Sequence, residues 1–80
     1  MSLTSKDSLA FRIGQNFRNI RLEKKMTIEE LAFELGVEYT QLSRIERGKI
    51  NTSVYQLYNI SKALQVDISE IFRGVDSVAP

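Results

Sequence analysis

Eighty residues with 42% apolar content can form one small core, near the lower size at which a chain folds unaided. The chain has no cysteine and no histidine, which excludes disulfides, thiolate metal sites, and the commonest metal ligand and general base. A net charge of +1 names no partner, but the charge is unevenly spread: six basic and two acidic residues precede Thr27, four glutamates and no base lie in 27–38, and Arg44, Arg47 and Lys49 outweigh Glu46 in 39–50. Polyanion binding depends on the local field, so two basic segments around an acidic one suffice if folding joins them. No apolar run approaches the ~20 residues of a membrane span and no signal-peptide pattern opens the sequence, so a cytoplasmic protein without a membrane partner is expected.

In chain order, Leu9, Ile13, Phe17 and Ile20 recur at the period of one helix face, predicting a first helix over about 6–24 with Arg12, Arg18 and Lys24 on its wet side. Thr27-Ile28-Glu29-Glu30 is a capping box that opens a second helix of about eight residues, with Leu31, Ala32 and Leu35 inward and Gly36 as its left-handed stop. Leu42 and Ile45 face inward on a third helix, about 39–47, which Gly48 ends. Ser53-Val54-Tyr55-Gln56 reads as a second capping box, opening a fourth helix through about Leu64 with Leu57, Ile60, Ala63 and Leu64 inward. Asp67-Ile68-Ser69-Glu70 predicts a short fifth helix. The expectation is an all-α, five-helix domain over 1–80, with 1–5 and 75–80 as frayed tails.

Two short helices joined by Leu35-Gly36-Val37-Glu38 form a helix-turn-helix pattern, in which the first helix props the second outward. Alone this is weak, since any small helical bundle contains one. The specific pattern is Thr27-Ile28-Glu29-Glu30-Leu31-Ala32, Leu35-Gly36-Val37, Ser43-Arg44-Ile45-Glu46-Arg47-Gly48-Lys49 and Ala63-Leu64. It resembles the Cro/C1-type (XRE) helix-turn-helix family over about residues 12–73, in the style of minimal phage repressors and restriction-modification controller proteins. The resemblance implies a five-helix, lambda-repressor-like DNA-binding domain that regulates transcription as a homodimer on an inverted repeat of double-stranded DNA, with the helix at about 39–47 in the major groove.

Carried over position by position, the resemblance puts base reading on Glu38, Tyr39, Thr40 and Arg44, with Gln41 and Ser43 nearby. An arginine such as Arg44 can pair bidentately with guanine, worth ~1–3 kcal/mol of discrimination. Phosphate clamping is expected from Thr27 with the N–H groups opening the second helix, and from Arg47, Lys49 and Asn51 after the third. The family pattern also implies an ion pair between Arg21 and Glu46 that fixes the third helix on the first, while spare donors of Arg21 face a phosphate. Three positions depart from the pattern: Ile28 replaces a glutamine that bonds phosphate, Lys25 stands where a glycine is common, and Thr52 where a proline often precedes the fourth helix.

Ile68, Ile71, Phe72, Val75 and Val78 offer more apolar surface than so short a segment buries, and with Tyr55 and Tyr58 suggest a two-fold interface. One rival reading is an antitoxin or protein-interaction module on the same fold, with a toxin or RNA polymerase as partner. An enzyme is not expected. Its best carboxylates, Glu29, Glu30 and Glu34, are explained by the helix dipole and the capping box. No cofactor or metal is expected.

Overall fold

The computed structural model describes residues 5–77; Val78 and the outer parts of both expected tails lie outside them. Four α-helices run in order: α1 (Lys6–Glu23), α2 (Ile28–Leu35), α3 (Tyr39–Glu46) and α4 (Val54–Ala63). The expected fifth helix is instead a 3₁₀ turn, Ile68–Glu70, and a second 3₁₀ turn spans Val75–Ser77. Local hydrogen bonding accounts for the difference. Asp67 accepts from the Ser69 N–H, two residues on, and Glu70, Ile71 and Phe72 each donate to a carbonyl three residues back. That winding is tighter than α. Val75, placed in the frayed tail by the sequence, is half-buried against the core.

Each α-helix begins where its cap directs. Ser5 accepts from the Ser8 N–H, and Thr27 exchanges both capping-box bonds with Glu30, at 3.0 and 2.9 Å. Ser53 accepts from the Gln56 N–H, but the returning bond from the Ser53 N–H to the Gln56 side-chain oxygen is missing; the Gln56 Nε2 is, separately, buried without a partner. Lys25 ends α1 in the left-handed region at φ 59°, so its side chain bears the strain that a glycine would avoid.

The helices close on one cluster: Ile13 and Phe17 from α1, Leu31 and Ala32 from α2, Leu42 and Ile45 from α3, Leu57 and Ile60 from α4, then Leu64 and Ile71. A fully buried side chain of this size contributes ~1.5–3 kcal/mol relative to exposure. Helix α2 has only eight residues and gains its stability from this packing. Two contacts fix α1. Gly14 lies directly against the backbone carbonyls of Ile45 and Glu46, where a Cβ would meet the Glu46 oxygen at 2.3 Å. Asn16 donates from its amide nitrogen to the carbonyls of Ile71 (2.7 Å) and Arg73 (2.8 Å), tying the C-terminal turns to the first helix.

Candidate nucleic-acid interface

The turn between α2 and α3 is short and closed by two backbone hydrogen bonds. Gly36 is left-handed at φ 70° and donates to the Phe33 carbonyl, while Val37 donates to Ala32 and lies half-buried. Helix α3 therefore leaves the turn at a fixed angle with Leu42, Ile45 and Glu46 inside. Glu38, Tyr39, Thr40, Gln41 and Arg44 are exposed, and Ser43 is half-buried. Tyr39 keeps 51% of its surface open, although a tyrosine of this size is normally well covered. Glu38 takes the N-cap position of α3, but its side chain makes no capping bond.

Behind this face, Glu46 is held by Arg21. The Arg21 Nε donates to one carboxylate oxygen of Glu46 at 2.9 Å and Nη2 to the other at 2.8 Å, while Nη1 donates to the Met26 carbonyl at 2.7 Å. The paired fork fixes the end of α3, and the bond to Met26 fixes the link into α2. The bond to Glu46 raises the Arg21 pKa, against an opposing effect of burial, and the negative charges of Glu46 and Glu29 add weaker attraction. The Arg21 side chain is only 8% exposed and three of its five N–H groups donate within the protein, so at most one N–H on each of Nη1 and Nη2 is left for the expected phosphate contact.

The phosphate candidates Thr27, Arg47, Lys49 and Asn51 are all exposed. At Thr27 the capping box occupies two of the N–H groups, its own and that of Glu30, which an anion would otherwise bind. The Thr27 hydroxyl can still donate its proton. Arg47 folds its Nε back toward the Ser43 carbonyl at 3.4 Å, leaving the rest of the guanidinium outward. Ile28 packs half-buried against the core, so it offers no polar group at the mouth of α2.

The apolar C-terminal surface differs from the expectation. Ile71 is fully buried at the centre of the core and presents nothing to a partner. Phe72 and Val75 are half-buried against that core, and Ile68 is half-buried. The 3₁₀ turn Ile68–Glu70 packs against α4, and the residues after it turn into the core. Tyr55 (74% exposed) and Tyr58 (48%) remain open, with Val54 (73%) beside them.

The helix-turn-helix family HTH_3 matches residues 17–71. The chain belongs to that family. The control protein C.BamHI of Bacillus amyloliquefaciens is 41% identical over 66 residues, 81% of this chain and 82% of its own. The restriction-modification controller protein C.AhdI of Aeromonas hydrophila superposes with a TM-score of 0.76 at 30% identity, covering 79% of this chain and 96% of that one. SinR, a master regulator for biofilm formation solved in complex with DNA, superposes with a TM-score of 0.70 at 36% identity, covering 75% of this chain and 97% of that one.

Within this helix-turn-helix scaffold, several positioning residues escaped the sequence reading. Gly14 carried a signal, because a glycine inside an otherwise good helix marks a close approach. Asn16 and the 90%-exposed Phe33 carried none: what each side chain meets, or fails to meet, depends on elements distant in sequence. Among the described residues no group of His, Cys, Asp and Glu is placed to hold a metal. No helix among them is long and apolar enough to cross a membrane.

Proposed function

We propose that this chain, a sequence-specific DNA-binding transcriptional regulator, acts as a cytoplasmic homodimer on an inverted repeat, with α3 lying in the major groove. One observation carries this reading: α3 is anchored by Leu42, Ile45 and the Arg21–Glu46 pair, while Glu38, Tyr39, Thr40, Gln41 and Arg44 stand exposed on its outer side. A rigidly mounted helix with free polar side chains suits base-edge recognition. Arg44 reads guanine, Tyr39 and Thr40 meet neighbouring base edges or thymine methyls, and Ser43 and Gln41 take bases or phosphates at the margin. Thr27, Arg47, Lys49 and Asn51 grip the backbone on either side. Dimerisation through Tyr55 and Tyr58, bordered by Ile68, Phe72 and Val75, sets two reading helices about 34 Å apart, one turn of duplex.

Selection of bound sites from a random duplex pool, run with the native chain and with Arg44→Ala, tests this. The native chain should return an inverted repeat, and Arg44→Ala should lose preference at one guanine in each half, weakening binding by ~1–3 kcal/mol. An unchanged site preference for Arg44→Ala overturns the assignment of the reading helix.

A second reading, a protein-interaction module that contacts a toxin or RNA polymerase, is favoured by one feature. Phe33 is 90% exposed on α2 and shares its surface with Glu29, Glu30 and Glu34. Steep salt dependence of DNA affinity separates the readings, since phosphate contacts release counterions.

A further inference from the structure

Two arginines of α1 reach the single carboxylate of Glu46, and they are not equivalent. Arg21 is buried and bonds both oxygens. The Arg18 Nη1 stands 3.6 Å from the same oxygen that Arg21 Nη2 already occupies at 2.8 Å, and the Arg18 side chain is 56% exposed. At that separation, with Arg18 open to water and Glu46 already bonded twice by Arg21, the contact adds little to stability. Glu46 carries one negative charge and Arg21 already matches it, so the cluster has a surplus positive charge, and that surplus sits on Arg18.

Its position matters as much as its charge. Glu46 is the last residue of α3, and Arg21 also donates to the carbonyl of Met26, just before α2. The Arg21–Glu46 pair therefore sits where the end of α3 meets the entry to α2, and Arg18 is an exposed cation beside that pair. Ile28, packed against the core, leaves the same region without a polar contact from α2.

We infer that Arg18 is a further phosphate contact, resting on Glu46 in the free protein and passing to a DNA phosphate in the complex. The inference rests on the DNA-binding reading above. A guanidinium on a long stem can make this exchange, because its planar fork matches a phosphate as well as a carboxylate. Arg21 keeps Glu46 neutralised after Arg18 leaves, so the transfer strands no buried charge.

The test measures affinity against salt for the native chain, Arg18→Gln and Arg18→Lys, each with a selected duplex and an unrelated duplex of equal length. For Arg18→Gln the slope of log K against log salt should shrink by about 0.9, the share of one phosphate contact. Affinity for both duplexes should fall by the same factor, about tenfold. Arg18→Lys should restore most of the slope. Melting temperature should stay near native for both variants, as for surface substitutions generally. An unchanged slope for Arg18→Gln overturns the inference, as does a loss of affinity accompanied by a large loss of thermal stability. If the native chain binds neither duplex, the DNA-binding reading fails and this inference with it. If the native chain binds and only the Arg18 slope is unchanged, this inference alone fails.

Discussion

Replacing Gly14 by alanine sets two effects of opposite sign against each other. Helix propensity favours alanine over glycine in the interior of α1 by about 1 kcal/mol. Tertiary geometry opposes it. A Cβ on residue 14 would stand 2.3 Å from the Glu46 carbonyl oxygen, 2.7 Å from the Ile45 oxygen and 2.8 Å from the Glu46 carbonyl carbon. A normal carbon–oxygen contact is about 3.3 Å or more, so α1 and α3 must part by about 1 Å. All three opposing atoms are backbone and cannot rotate away. Overpacking of this kind costs up to about 3 kcal/mol, which leaves a net loss of about 2 kcal/mol after the propensity gain. For a domain of this size that lowers the melting temperature by roughly 8–16 °C. The same displacement moves the end of α3 and stretches the Arg21–Glu46 pair, so DNA affinity should fall more than the loss of folded protein explains. Thermal unfolding followed by circular dichroism, with a mobility shift well below the melting point, measures both. A Gly14→Ala variant that melts above the native chain would refute the reasoning.

Glu46→Ala should unfold at a much lower temperature, because it strands Arg21 among buried groups at a cost of ~3–5 kcal/mol. An unchanged thermal midpoint would contradict this. Ile71→Ala should lose ~2–5 kcal/mol of stability without weakening self-association, since it lies in the core, whereas Tyr58→Ser should weaken self-association with little thermal effect. Sedimentation at several concentrations, alongside melts, distinguishes the two. In acid, the carboxylates of Glu30 and Asp67 are held below their ordinary values of 4.5 and 3.8 by backbone hydrogen bonds from Thr27 and Ser69. Their contribution is therefore present above those values and is lost as the pH falls through the lower folded ones. Melts across that range should show the decline, and Glu30→Gln should flatten part of it.

The local chemistry of this chain was legible in its residues. The Thr27–Glu30 capping box, the left-handed Gly36 and the alternation of buried and exposed positions on α3 each depend on neighbours within four residues. The periodicity of Leu9, Ile13 and Phe17 needs only a helix and a core to face. What the residue order does not encode is where separate elements touch. Ile71 reads as surplus apolar surface until it is seen fully buried in the shared core, and Asp67 reads as the start of an α-helix until its side chain bonds two residues ahead. Gly14 and Asn16 acquire roles only because α1 crosses the end of α3 and the C-terminal turns. The contrast between a buried Arg21 and an exposed Arg18 is likewise tertiary. Both are arginines three residues apart on one helix, and only the seat of Glu46 decides which is locked and which is free. Short-range hydrogen bonds and side-chain periodicity are properties of the chain itself, while burial is a property of the packed whole.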